Sequence, residues 1–195
     1  MDSSACAPTP PSPWIVRHAH LLRPAGTVLD VACGAGRHVR WLQQRGHRVF
    51  AVDRDAQAVQ PLRDIADVCV ADLEAGAWPY AQRQFDAVVV TNYLWRPLLP
   101  HIVQAVAPGG VLLYETFALG QASLGKPSNP AFLLRPGELL DAVRPALRVL
   151  RYEDGFVTTP HPAYVQRIVA VREAADAQAA DRYNLSTHTA SLAEQ

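Results

Sequence analysis

Two glycines and one acid in the first quarter of the chain have a spacing that suits the binding of a small charged ligand. An apolar run that begins at Val28 is short enough for a buried strand, and it passes Asp30 before it breaks at Gly34 and Gly36. Apolar residues return at helical spacing from His38 onward. A helix that starts directly after such a loop leaves its first backbone N–H groups open to a polar ligand, and glycine lets that ligand lie against the backbone. We therefore predict a ligand cradle in the stretch 28–38.

Asp30 determines which ligand suits this cradle. The dinucleotide fingerprint G-x-G-x-x-G requires a third glycine, but Val39 stands at that position. An acid about 4 Å from a ligand charge contributes roughly 4 kcal/mol near a protein surface, which is repulsive for a pyrophosphate and attractive for an ammonium group. S-adenosylmethionine (SAM) carries an α-ammonium group, and its carboxylate can bind at the helix N-terminus. The pattern predicts SAM; the alternative is a glycine turn that binds no ligand.

Two further acids follow the next strands along the chain. Asp53 comes nineteen residues after Gly34, where an acid can accept hydrogen bonds from both ribose hydroxyls. Its alternative role is to cap the next helix, but Asp55 suits that position better because helical residues follow it directly. Asp72 and Leu73 directly follow the third predicted strand, where they can hold an adenine; a turn-forming aspartate explains Asp72 as well.

The hydrophobic periodicity predicts the elements that position these residues. Strand and helix patterns alternate through five strands, which is typical of a doubly wound α/β sheet, and two more strands at the C-terminal end predict a closing antiparallel hairpin. The predicted strands begin at Val28 and then cover 47–52, 65–71, 85–90, 111–114, 147–152 and 164–171, with a turn at 108–110. The predicted helices cover 14–22, 37–45, 56–62, 97–106 and 137–143. We expect a disordered proline-rich arm at 1–13, one domain at 14–172 and a frayed or disordered tail at 173–195.

The first predicted helix has two possible places. Trp14, Ile15, His18 and Leu22 share one face of it. The helix precedes the first strand, so it can cover the ligand crevice or pack on the sheet edge.

The motif D-x-x-C-G-x-G at Asp30–Gly36 resembles the first motif of class I SAM-dependent methyltransferases. Asp53, the Asp72-Leu73 pair and the Pro108-Gly109-Gly110 turn fit the same family, and the likeness runs from Trp14 to about Val171. More narrowly, the segments 92–94, 115–117 and 125–130 resemble a bacterial group related to tellurite-resistance methyltransferases.

This resemblance implies a mostly parallel seven-stranded sheet, SAM as cofactor and methyl transfer to a small-molecule nucleophile by in-line displacement. Together with the strand-end positions, it predicts a cofactor site that comprises Asp30, Ala32, Cys33, Gly34, Ala35, Gly36, Arg37, Asp53, Arg54, Asp72, Leu73, Asn92 and Tyr93.

Methyl transfer from a sulfonium mainly requires that the nucleophile is close, aligned and shielded from water. No fixed acid–base pair is therefore expected. If the acceptor must lose a proton, the candidates for the base are Tyr93, Glu115, His18 and His161, although each also fits a purely structural role. Arg96 and Lys126 can bind an anionic acceptor or can be solvated loop residues.

Composition disfavours several other classes of protein. Eighteen basic and eighteen acidic residues give a net charge of +0 without a basic cluster, which disfavours a nucleic-acid substrate. Three separated cysteines and seven histidines lack metal-ligand spacing, so we expect no metal site, a reducing compartment and a cytoplasmic location. No secretory signal pattern and no apolar run of membrane-spanning length occurs.

The residues leave the oligomeric state open. Two other functions also remain as alternatives, a nicotinamide-dependent oxidoreductase or other dinucleotide-binding protein, and a SAM-binding subunit without catalytic activity.

Overall fold

The computed structural model describes residues 9–174 and residue 183 of the chain. Seven strands form one sheet: β1 Thr27–Val31, β2 Arg48–Asp53, β3 Asp67–Val70, β4 Phe85–Thr91, β5 Val106–Phe117, β6 Arg148–Val157 and β7 Ala163–Val171. The α-helices are α1 Pro13–His18, α2 Arg37–Gln44, α3 Ala56–Val59, α4 Leu99–Gln104 and α5 Glu138–Val143. Short 3₁₀ turns cover Ala19–Leu21, Gln60–Leu62, Arg96–Leu98, Leu119–Ser123 and Pro130–Phe132.

The sheet has the strand order β3-β2-β1-β4-β5-β7-β6. Strands β1 to β5 are parallel, whereas β7 is antiparallel to both of its neighbours, β5 and β6. The predicted doubly wound, mostly parallel sheet with a closing hairpin is therefore confirmed. The strand order reverses between β1 and β4, and ligands of open α/β sheets bind outside the carboxyl ends of the strands at such a point.

Two hydrophobic layers cover the two faces of the sheet. Successive residues of a strand point to opposite faces, so Leu29 and Val31 join the layer under α4 and α5, whereas Val28 joins the layer under α1 to α3. The central strands are buried on both faces and are rich in valine, as is usual for parallel sheets. This rigid sheet holds the loops at its carboxyl edge.

The expected turn at Pro108-Gly109-Gly110 is wrong, because these residues lie within β5. Val106 pairs with Phe85 and Val111 with Ala87, so the segment between them bulges out of the register. Gly109 adopts a φ of 75°, and the backbone of Arg172 hydrogen-bonds to Gly109 and Gly110. Arg172, directly after β7, supplies these backbone partners, so β5 continues through the two glycines and does not end in a free turn.

The first helix begins at Pro13, one residue earlier than predicted. Ser12 is buried and its side chain accepts a hydrogen bond from the Trp14 N–H, which caps α1 with Pro13 in the first turn. The predicted apolar face of this helix is confirmed, since its four members are all buried. Residues 1–8 of the expected arm, and the expected tail beyond 174 except residue 183, lie outside the described residues. No helix within 9–174 is long and apolar enough to cross a membrane.

Candidate active site

The loop between β1 and α2 has three residues with left-handed backbone conformation. The φ angles are 53° at Ala32, 54° at Gly34 and 77° at Gly36. The N–H of Cys33 donates to the carbonyl of Val52 on β2, and the N–H of Gly36 donates to the carbonyl of Cys33. A left-handed alanine is strained, and such strain is found mainly where a site requires a particular backbone path. The loop thus bends sharply at the point where the strand order reverses.

Asp53 fixes this loop from the end of β2. Its Oδ2 accepts a hydrogen bond of 2.7 Å from the Gly34 N–H, and its Oδ1 accepts one of 3.0 Å from the Asp55 N–H. A carboxylate has about four acceptor positions, so both oxygens keep capacity for ligand hydroxyl groups. The helix-capping role belongs to Asp55, which accepts from the N–H groups of Gln57 and Ala58.

Asp30 is a buried acid without a partner for one of its oxygens. The residue is 1% exposed, and its Oδ2 finds no hydrogen-bond donor among the described residues. Burial raises the pKa of its carboxyl to about 8; the Arg37 guanidinium opposes this rise and the Asp53 carboxylate adds to it. The nearest ionisable ring is that of His38, whose Nδ1 lies 4.0 Å from Oδ2. A carboxyl group buried in this way is arranged for a cation that enters from outside.

A cleft beside the loop collects the other predicted residues. It is lined by Ala32, Asp53, Arg54, Ala71, Asp72, Leu73, Glu74 and Tyr93. Asp72 accepts hydrogen bonds from the N–H groups of Glu74 and Ala75 through Oδ1, so the turn-forming role considered for it is present and uses one oxygen. Leu73 is buried and forms an apolar part of the wall. The cleft therefore combines acids with one apolar surface, which suits a purine nucleoside.

Tyr93 and Asn92 lie on the opposite side of the crevice, directly after β4. Asn92 adopts a φ of 54°, which turns the chain sharply. The Tyr93 hydroxyl is buried without a hydrogen-bond partner in the described part of the chain. Burial, with Glu74 and Asp72 nearby, raises the pKa of Tyr93 to about 12, so the phenol stays protonated near neutral pH. This position makes Tyr93 a wall of the nucleoside cleft and a poor general base.

Residues 28–110 match the sequence model of a family described as a methyltransferase domain, and this region extends from β1 into β5. The matched region is similar to a methyltransferase domain and makes up less than half of the chain. Among curated proteins, the malonyl-[acyl-carrier protein] O-methyltransferase of Salmonella typhimurium is 34% identical over 107 residues, which are 50% of this chain and 41% of that protein. The chain thus spans about two fifths of the length of this relative.

Several solved structures share the fold of this chain. TehB from Haemophilus influenzae has a TM-score of 0.67 and 19% identity, covering 82% of this chain and 61% of that chain. A TehB-like SAM-dependent methyltransferase from Corynebacterium glutamicum has a TM-score of 0.61 and 19% identity, covering 82% of this chain and 87% of that chain. At these identities the likeness concerns the fold alone.

SAM is the cofactor that the match to a methyltransferase domain implies, and the residues present fit it. The unpartnered Asp30 oxygen suits the α-ammonium group, and Asp53 retains acceptor capacity for the ribose hydroxyls. At Gly34 an added Cβ would meet no protein atom within 4 Å, so the backbone there faces open space in which a ligand can lie. Together these residues are complementary to a nucleoside that carries an amino acid.

Replacing Gly34 with alanine is expected to weaken SAM binding by tenfold or more, because the new Cβ would project into the open space of the cradle. A left-handed alanine costs about 1–2 kcal/mol of folding free energy. Gly46 is the matched control, since it also has positive φ and open space around its missing Cβ but lies at the far end of α2. Isothermal titration calorimetry and urea unfolding should show similar stability losses for the two alanine variants and an affinity loss for Gly34→Ala only. Equal affinities would contradict the cradle.

Glu115 and His18, the other candidates for a base, are engaged elsewhere. Glu115 is 7% exposed, accepts a 2.7 Å hydrogen bond from the Ser12 hydroxyl and forms an ion pair with Arg167. The Nδ1 of His18 lies 2.9 Å from the Trp14 carbonyl oxygen, and burial lowers the pKa of the ring. The Ser12–Glu115 bond joins the start of α1 to β5 and the His18 contact lies within α1, so both groups have a structural role. His161 is exposed in the connection between β6 and β7.

Arg96 holds a loop in place and is not available for an anionic acceptor. Its guanidinium forms an ion pair of 2.6 Å with Glu138 and donates to the carbonyl oxygens of Ala131 and Leu133. Burial raises the pKa of Glu138, but the hydrogen bonds from Arg96 and Arg135 outweigh it and hold that pKa at about 2. Lys126, the other cationic candidate, is exposed.

The predicted set of site residues left out two residues near the site, Ser12 and His38, although His38 ends the predicted cradle. The Ser12 N–H donates a 3.0 Å hydrogen bond to Nε2 of His38, and both residues are buried. The Ser-Pro pair ahead of Trp14 is a helix-start signature that predicts the cap. The sequence carries no signal for the contact with His38, because a single histidine on a helix is most often structural.

Proposed function

We propose that this protein transfers the methyl group of SAM to a small-molecule nucleophile. The observation that supports this best is Asp30, a buried acid with an unpartnered oxygen beside a left-handed glycine loop, in a domain of the methyltransferase family. An ammonium ligand would pair with the carboxylate form of that acid, whereas a diphosphate would be repelled by that form. The nicotinamide alternative is therefore disfavoured by the same group that favours SAM.

We assign a binding role to each part of the crevice. Asp30 would hold the α-ammonium group, and Asp53 would accept the ribose hydroxyls while its bond to the Gly34 N–H keeps the loop in shape. Leu73 and Asp72 would contact the adenine. SAM itself supplies a methyl group that is already activated by the sulfonium, so the protein has to orient the acceptor in line and exclude water.

Arg37 is a further candidate within the predicted set. Its guanidinium donates a 3.3 Å hydrogen bond to the Thr91 hydroxyl at the end of β4 and acts electrostatically on Asp30. It therefore spans the floor of the crevice between β1 and β4. We propose that Arg37 receives the carboxylate of the SAM amino acid, beside the ammonium group held by Asp30. The remaining predicted residues, Ala32, Cys33, Ala35, Gly36, Arg54, Asn92 and Tyr93, complete the proposed cofactor site.

The acceptor class is proposed from chemistry and from relatives. The Salmonella typhimurium relative is by name an O-methyltransferase of a malonyl group, and TehB shares the fold. Tritiated SAM should therefore be tested with pooled small thiols, selenite, tellurite and carboxylic acids. Transfer of label to one pool is the expected result. SAM binding without transfer to any pool would favour the non-catalytic subunit, and binding of a nicotinamide nucleotide instead of SAM would refute the proposal.

Tyr93→Phe is expected to change the methyl-transfer rate by less than about fivefold, because the phenol is a wall of the cleft with a pKa of about 12. Loss of a true general base costs about 10²–10⁴ in rate. The rate at saturating SAM and acceptor, measured from pH 6 to pH 9, distinguishes the two. A loss of more than a hundredfold would make Tyr93 the base.

We also propose a cytoplasmic location. Cys33 and Cys69 are both free thiols, and burial raises the pKa of Cys33, which keeps it protonated and unreactive. Free cysteines are usual in reducing compartments. Fractionation of the producing cell, with detection of the protein by antibody, tests the location.

A further inference from the structure

We propose that His38 is a positioning residue that couples the charge on Asp30 to the docking of an N-terminal strap, residues 9–12. This inference rests on the proposed function, because the ligand group that sets the charge on Asp30 is the ammonium of SAM. The strap is exposed at residues 9 and 10 and becomes buried at Ser12.

His38 contacts both partners from the first turn of α2. On one side its Nε2 accepts the 3.0 Å hydrogen bond from the Ser12 N–H. On the other side its Nδ1 lies 4.0 Å from the unpartnered Oδ2 of Asp30. All three residues are at most 3% exposed, so water does not screen these interactions. His38 therefore links Asp30 to the strap through two contacts that are buried away from water.

The docked strap requires one tautomer of His38. Burial, with the adjacent Arg37, lowers the pKa of His38 to about 3, so the ring is neutral and carries one proton. Nε2 can accept from Ser12 only if that proton is on Nδ1, which faces Asp30. At 4.0 Å the contact is too long for a direct hydrogen bond and acts through charge. A carboxylate at Asp30 stabilises the Nδ1–H tautomer, whereas a protonated carboxyl group does not.

An ammonium ligand would stabilise the carboxylate form of Asp30 and thereby the tautomer that accepts from Ser12. Linkage is reciprocal, so the strap must strengthen ligand binding by the same factor by which the ligand strengthens strap docking. Ser12 also donates through its hydroxyl to Glu115 at the end of β5, and β4 lies between β1 and β5 in the sheet. The strap thus reaches across the end of β4, and its docking would help to exclude water there.

Two substitutions at Ser12 isolate the hydrogen bond to His38. Ser12 has a φ of −58°, which proline adopts without strain, so Ser12→Pro removes the N–H and the hydroxyl while keeping the backbone path. Ser12→Ala removes the hydroxyl alone. We expect S-adenosylhomocysteine (SAH) to bind Ser12→Pro about tenfold more weakly than Ser12→Ala, within the usual range of coupling factors. Equal affinities by calorimetry would overturn the coupling.

A pair of ligands tests whether the coupling between Asp30 and the strap depends on the amino-acid part of the ligand. SAH keeps the α-ammonium group, whereas 5′-methylthioadenosine has the same nucleoside and thioether without the amino acid. At saturation, SAH should slow hydrogen exchange of the Ser12 amide about tenfold in the wild type, 5′-methylthioadenosine should not, and neither should do so in Asp30→Asn. The ¹⁵N chemical shifts of the His38 ring should move further towards the values of the Nδ1–H tautomer with SAH, and not with 5′-methylthioadenosine. Equal protection by both ligands would overturn the coupling and leave the proposed function intact, while absence of SAH binding would overturn both.

Discussion

Replacing Asp30 with asparagine is expected to stabilise the protein without ligand above neutral pH and to weaken SAM binding. The folded state raises the pKa of Asp30 to about 8, so it binds this proton more tightly than the unfolded state does. The stability that the protonated form contributes is complete below pH 4 and is lost as the pH rises to about 8, with a slope of at most about 1.4 kcal/mol per pH unit. Asp30→Asn removes this loss. Urea unfolding of the wild type and of Asp30→Asn from pH 4 to pH 9 measures this pH-dependent difference in the free energy of unfolding.

The same Asp30→Asn variant, although more stable, should bind SAM more weakly than the wild type. A hydrogen bond to a charged group contributes about 1.5–3 kcal/mol, so its loss should weaken SAM binding by about 10-fold to 150-fold. Asp67→Asn is the control, because it removes an exposed acid paired with Arg48 on the edge of the sheet. It should alter neither property. A variant at Asp30 that bound SAM as tightly as the wild type would show that the acid does not face the ammonium group.

Asp53→Ala is expected to weaken SAM binding by at least about a hundredfold while the fold stays intact. Two hydrogen bonds from ribose hydroxyls to a carboxylate would be lost, at about 1.5–3 kcal/mol each. The Gly34 N–H would also lose its 2.7 Å bond, which holds the loop in shape. Calorimetry gives the affinity, and circular dichroism reports whether the fold is retained.

Asp55→Ala controls for this prediction, because Asp55 is two residues away and caps α3 without facing the cleft. It should lower the free energy of unfolding by about 1 kcal/mol through loss of the cap and leave the SAM affinity unchanged. Unchanged affinity in Asp53→Ala would remove Asp53 from the proposed site.

Local patterns predicted most of the sheet. The buried runs of valine and leucine at β1, β2 and β4 have the composition of central parallel strands, and their order along the chain admits few topologies. The helical spacing of Trp14, Ile15, His18 and Leu22 identified the face that is buried. Boundaries were less accurate, and the expected turn at 108–110 failed because its backbone partners come from Arg172, far along the chain.

The positions of the site residues were predicted less completely. The loop acids and glycines follow from spacing along single strands, so their convergence at one edge of the sheet could be anticipated. The partners of Ser12 could not, because His38 and Glu115 lie 26 and 103 residues away in the chain. Such contacts depend on how a helix settles on the finished sheet, and no periodicity encodes them.

The clasp formed by Arg96 and Glu138 fixes the segment that follows β5 against α5. The segment 130–134 follows β5 and is held by this guanidinium through two carbonyl oxygens and an ion pair with α5. Swinging that segment outward would break all of these contacts at once, so it behaves as a fixed wall. The N-terminal strap is joined to His38 and Glu115 by two hydrogen bonds of Ser12, so we expect it to open more readily than this segment.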